Sequence, residues 1–153
     1  MARLLGALAV LGAMMLSAGA VQACPDWRLA GQELYYSGDE LYTPRYHGVV
    51  AGGNVDLRKC RTAQGAVGFV AAAPDFELYF SGSRNYTLEL RVVSECDSVL
   101  LINTGNANWY FDDDDNGNLD AMIRLTRPSE GWYDIWIGAL DRNCNARLEL
   151  ETF

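Results

Sequence analysis

The sequence predicts an all-β fold, an antiparallel jelly-roll-like β-sandwich. Three observations carry this expectation. No stretch after residue 23 sustains a helical period, short segments alternate apolar and polar residues, and Gly, Asn, Asp and Pro punctuate those segments throughout.

The elements follow in chain order. Met1 to Arg3 carry one positive charge, Leu4 to Leu16 are apolar, and small residues run from Ser17 to Ala23. That order is the pattern of a cleavable secretory signal peptide, residues 1–23, and the apolar run is shorter than the roughly 20 residues a membrane span needs. Val21-Gln22-Ala23 places cleavage after Ala23, with Ala20 as the alternative. Cys24 then opens the mature chain. Gln22 fits poorly in front of a lipidated cysteine, so Cys24 is expected in a disulfide. No later segment is apolar enough to span a bilayer.

Residues 24–153 suit one domain, large enough to bury a core. Glu33–Tyr36, Arg45–Val50 and Asn54–Leu57 read as strands, and Gly38-Asp39 and Gly52-Gly53 as turns. In Phe76 to Phe80 the alternation puts Phe76, Leu78 and Phe80 on one face. Ser81 to Asn85 is a turn. Tyr86, Leu88, Leu90 and Val92 then point inward, and Thr87, Glu89 and Arg91 outward. Val99–Ile102 is a short apolar strand. Ala121–Leu125 alternates again. After the Pro128–Gly131 turn, Tyr133, Ile135 and Ile137 share one face, and Trp132 and Trp136 the other. Arg147–Glu151 closes the chain with Leu148 and Leu150 inward.

Residues 24–153 carry 11 basic and 20 acidic residues, a net charge of −9. Nucleic acid is held mainly through Lys and Arg, so this balance argues against a nucleic-acid partner, and equally against anionic membranes. It suits solubility and cation binding. Four cysteines, Cys24, Cys60, Cys96 and Cys144, form an even set. In an oxidising compartment they make two disulfides, for which three pairings exist. The expected pairs are Cys24–Cys60, closing an N-terminal subregion, and Cys96–Cys144, tying the acidic loop region to the last strand. No Cys-x-x-Cys or Cys-x-x-His spacing points to zinc.

Four stretches occur in a suggestive order: Tyr86-Thr87-Leu88-Glu89-Leu90, Cys96-Asp97-Ser98-Val99-Leu100, Asp112 to Asp120, and Gly131-Trp132-Tyr133-Asp134-Ile135-Trp136-Ile137-Gly138. Together they resemble the bacterial pre-peptidase C-terminal domain family, a jelly-roll β-sandwich, over about half of the chain, residues 76–153. The resemblance implies a non-catalytic, peptidase-associated domain. Some members of that family bind calcium or help to bind extracellular polymers. Residues 24–73 fall outside the resemblance.

Asp112, Asp114, Asn116, Gly117, Asn118 and Asp120 spell D-x-D-x-N-G-x-x-D. Oxygen ligands at alternate positions with a glycine at the sixth match the first nine positions of a calcium loop. Asp112, Asp114 and Asn116 would offer side-chain oxygens, Asn118 its carbonyl, and Asp120 a direct or water-bridged contact. The twelfth position holds Ile123 instead of a bidentate Glu, so further ligands would come from Asp97 or Asp113. The competing reading is a solvated acidic turn, against which stands the mutual repulsion of four consecutive carboxylates.

Catalytic sets are weak. His47 is the single histidine, in a strand context without a serine-protease motif, and reads as a structural or surface residue. Paired cysteines leave no thiol nucleophile. For glycoside hydrolysis by paired carboxylates, the sequence singles out no acid in an apolar setting. Trp27, Trp109, Tyr110, Trp132 and Trp136 are prominent for so small a domain. Trp132 and Trp136 make a flat platform if exposed, although burial under a loop or the N-terminal region is the expected arrangement. Trp109, read as a loop residue beside the acidic run, is the preferred partner-binding residue. The expected function is a periplasmic or secreted non-catalytic domain, calcium-stabilised, that binds a polysaccharide or a protein. A hydrolase (peptidase or glycosidase) and a structural envelope protein are the alternatives.

Overall fold

A computed structural model describes residues 24–83 and 85–153; the expected signal peptide lies outside the described residues. In chain order the elements are β1 (Gln32–Ser37), α1 (Gly38–Leu41), β2 (Arg45–Ala51), β3 (Val55–Asp56), a 3-10 turn (Leu57–Lys59), β4 (Phe69–Val70), β5 (Phe76–Ser81) and β6 (Leu88–Ser94). They continue as β7 (Ser98–Asn103), β8 (Trp109–Asp112), β9 (Met122–Leu125), β10 (Gly131–Ala139) and β11 (Cys144–Thr152).

The strands form two sheets. The smaller runs β2-β11-β6-β9 and is antiparallel throughout. The larger is organised around the nine-residue β10, which pairs with β5 on one edge and β7 on the other. β1 flanks β5, β8 flanks β7, and the short β4-β3 pair joins the far end of β10. One pairing departs from the antiparallel expectation: β1 and β5 run parallel. The chain leaves β1 for the other sheet through α1 and β2 before returning, and that excursion supplies the long crossover a parallel pair requires.

The all-β sandwich follows from the period-two pattern. Leu34, Phe76, Leu78, Phe80, Tyr133, Ile135 and Ile137 from the larger sheet meet Leu88, Leu90, Val92, Ile123, Leu148 and Leu150 from the smaller one in a single buried cluster. β7 lacks alternation because both its faces are covered: Leu100 and Ile102 enter that core, and Val99 and Leu101 enter a second one. The second core lies on the outer side of the larger sheet, where Val55, Leu57, Ala66 and Val70 cover Trp136. Gly138 permits that approach, since a Cβ there would stand 2.4 Å from the Phe69 carbonyl oxygen.

Local differences from the sequence expectation have identifiable causes. Gly38-Asp39 opens a four-residue helix, because Ser37 and Glu40 form a capping box: the Ser37 hydroxyl accepts from the Glu40 amide and the Glu40 carboxylate accepts from the Ser37 amide. The strand expected at Asn54–Leu57 stops after Asp56, whose carboxylate caps the 3-10 turn through the Arg58 amide. Tyr86 precedes β6 and is only half-buried; its hydroxyl donates to Asp39 at 2.5 Å. β4 and β8 lacked a sequence signature. Both expected disulfides form, Cys24–Cys60 and Cys96–Cys144. By closing loops of 36 and 48 residues, each restricts the unfolded chain by an amount worth about 2–4 kcal/mol. No described helix is long and apolar enough to cross a membrane.

Candidate functional site

The register of the larger sheet sorts its outward residues into rows. One row steps across three strands through Tyr35, Tyr79 and Trp132. Their rings touch edge to face, with centroids 5.2 Å apart for Tyr79–Trp132 and 5.6 Å for Tyr35–Trp132. All three remain exposed, at 58%, 42% and 41%. The next row holds Glu33, Glu77, Asp134, Asn103 and Trp109. The third holds Trp136, Leu101 and Phe111, and is covered by the second core.

Trp109 begins β8 and therefore sits on a strand, which corrects its reading as a loop residue. The indole lies over that of Trp136 at 5.4 Å, so one face supports the second core while the residue stays partly exposed. Together with the exposed Trp27, Trp109 forms a wall shared by two clefts. One, of about 540 Å³, extends toward Arg28, Arg61 and Thr62. The other, of about 410 Å³, extends past Asn103 and Thr104 to Asp134 and Trp132. The paired tryptophans of β10 are thus split: Trp136 is buried under the segment between β3 and β4, as expected, but Trp132 is open to solvent.

Asp134 is the acid in an apolar setting that the sequence did not single out. It is 7% exposed and lines the second cleft. Its own backbone amide is the one donor to its carboxylate among the described residues. Burial, and then the facing Glu77, push its carboxyl up to about 6. Glu77 is better provided, accepting from the Gly31 amide at 2.7 Å, and Glu33 accepts from the Tyr35 hydroxyl at 2.5 Å. A second raised carboxyl, Asp75, has a structural task. Its Oδ2 accepts from the Ile137 amide at 2.7 Å, where β10 has left β5 and not yet met β4, and burial moves it to about 6. Two buried polar atoms in this region, Thr62 Oγ1 at the first cleft and Trp136 Nε1 beneath Trp109, have no hydrogen-bond partner among the described residues.

The acidic loop is built differently. Carboxylate oxygens of Asp112, Asp114 and Asp115 come within 4.8 Å of one another. Asp115 was not among the expected ligands. Asn116 and Asp120 also make contacts within the fold: Asn116 Nδ2 donates to the Val92 carbonyl, and Oδ1 of the buried Asp120 accepts from the Ser94 and Ser98 hydroxyls. Asp112 also accepts from the Asp115 and Met122 amides. Asn118 is exposed, with a left-handed backbone at φ 53°. Of the outside candidates, Asp97 faces this region. Its carboxyl is pushed up by burial and by Asp141, Asp114 and Asp120; that of Asp113 is raised by burial and by Asp114, Asp112 and Asp97. Three gathered carboxylates fall short of the six to eight oxygens calcium takes, so the fit to that ion is partial and no chemistry is derived through it.

His47 occupies β2 between the Tyr36 and Phe76 rings, and burial lowers its proton affinity. Its hydrogen-bond partner among the described residues is the Tyr36 hydroxyl at 3.4 Å, which provides no nucleophile and no orienting acid. Comparison of the chain with known family models, curated proteins and solved structures finds no match.

Proposed function

We propose that the protein is a periplasmic or secreted, non-catalytic β-sandwich domain that binds an extracellular polymer on the outer face of its larger sheet. The observation that carries this reading is the exposed row Tyr35–Tyr79–Trp132, continuous with the cleft walled by Trp27 and Trp109. Large aromatic side chains in open contact with solvent lose apolar contact that a flat ligand would restore. Rings carried on neighbouring strands are held rigidly, so little ordering is required on binding. The resemblance of residues 76–153 to pre-peptidase C-terminal domains points the same way, and the two disulfides suit an oxidising compartment.

The test is co-sedimentation of the oxidised protein with insoluble polysaccharides and with cell-wall material. Trp132→Ala and Trp109→Ala are expected to lose binding by about tenfold, since truncating a stacked aromatic at an interface removes a central contact. Wild-type binding by both variants would overturn the proposal. A second reading, glycoside hydrolysis, is favoured by the placement of Asp134 directly opposite Glu77. Release of reducing ends in the same assay, abolished in Asp134→Asn or Glu77→Gln, would establish that reading in place of the first.

A further inference from the structure

The row beside the exposed aromatics contains three carboxylates on three adjacent strands, Glu33, Glu77 and Asp134. Like charges placed directly opposite one another in a sheet repel, and the low polarity of a half-covered face enlarges the effect. Ordinarily an arginine or lysine answers such a row. None does here: among the described residues Glu77 and Glu33 receive one neutral donor each, and Asp134 receives only its own amide. Asp134 is more than nine-tenths buried, yet it lines the open cleft between Trp132 and Trp109. Among the described residues the site therefore has no cationic donor, beside aromatic rings whose faces attract cations.

We propose that the polymer is a glycan bearing free amines, its sugar rings resting on Tyr79, Trp132 and Trp109 and an ammonium group received by Asp134. The inference rests on the polymer-binding reading and names the class of polymer. A sugar ring of this kind has both properties the face calls for. Its axial C–H groups present an apolar surface to the indole and phenol rings, and its protonated amine donates to a carboxylate. A neutral sugar would satisfy the rings and leave the repulsion between Asp134 and Glu77 in place. An acidic sugar would increase it.

The experiment is calorimetric titration of the oxidised protein between about pH 6 and neutrality, where Asp134 becomes mostly ionised, with glucosamine oligomers, N-acetylglucosamine oligomers and cello-oligosaccharides of matched length. The free-amine oligomer is expected to bind about tenfold more tightly than the other two, a charge-assisted hydrogen bond being about twice as strong as a neutral one. Asp134→Asn should remove that preference while leaving the melting temperature undiminished. Asp141→Asn, an exposed aspartate on the β10–β11 turn, removes the same charge and should preserve the preference. Equal affinity for the three oligomers, an unaltered preference in Asp134→Asn, or an equal loss in Asp141→Asn would overturn the inference; polymer binding in general would survive these results. Failure of every glycan, soluble or insoluble, would overturn both.

Discussion

The two outer faces of the sandwich carry similar numbers of acids and treat them in opposite ways. On the smaller sheet, Glu89 is almost fully buried, yet it accepts from Arg91 at 2.6 Å and from Arg124 Nε at 2.6 Å. Arg91 also reaches Glu149 and Glu151, and Arg147 reaches Glu149. The carboxylates and guanidiniums of that face are mutually paired. On the larger sheet, Glu33, Glu77 and Asp134 form a row that no cation answers among the described residues, flanked by exposed rings. A paired charged face contributes to holding the fold, whereas an unpaired one retains free energy that a ligand can recover.

Within the larger sheet the contrast is sharpest between two tryptophans on one strand. Trp136→Ala should cost about 3–5 kcal/mol, because it empties a buried site beneath the segment between β3 and β4. Trp132→Ala should change stability by no more than about 1 kcal/mol while removing polymer binding. Denaturant melts of both variants check this, and comparable destabilisation by the two would erase the distinction between a covering and a binding aromatic. Breaking the paired face is the next largest effect. Glu89→Gln removes the buried carboxylate that joins Arg91 to Arg124, leaving Arg91 on Glu149 and Glu151 alone, and should cost about 1–3 kcal/mol, moderated by the solvent access of both arginines. Asp134→Asn on the open face should cost nothing.

The smallest effect is on pH dependence. Asp75 and Asp134 titrate near about 6 in the folded protein, against an ordinary value of 3.8. Between those values the folded state holds more protons than the unfolded one, so stability falls as pH rises through that window and levels off above it. Thermal melts should therefore show a lower midpoint at neutral pH than at about pH 5, with a shallower decline in Asp134→Asn. A midpoint independent of pH across the window, or an unchanged slope in the variant, would remove Asp134 from the account.

Much of the framework was legible in the sequence. Strict alternation in Phe76–Phe80 and Leu88–Val92 announced both the strands and their inward faces, because one side of each was committed to a single core. The short β4 and β8 were not legible. β4 pairs at two positions with β3 and at one with β10, and β8 takes its place only against β7, so neither carries a local period. The acidic loop was legible as a motif but not as an arrangement. Asp120 and Asn116 stand as ligand positions in a linear reading, and that reading does not show that they also hold Ser94, Ser98 and Val92 in the fold.

By itself, then, the sequence determined the fold class, most of the inward residues and the expectation of two disulfides, while the choice among three pairings is settled by the tertiary structure. Local alternation, turn residues and an even cysteine count are properties that neighbours along the chain suffice to express. Only the tertiary structure decided which outward residues stay outward. Alternation assigns a side chain to one side of a sheet and says nothing about what covers that side. The cover over Trp136 comes from residues between β3 and β4, tied to the N-terminal segment through Cys24–Cys60, and it ends before Asp134 and Trp132. The parallel pairing of β1 with β5 extends the sheet beyond that cover, completing the row from Tyr35 to Trp132 out of three segments far apart in the chain.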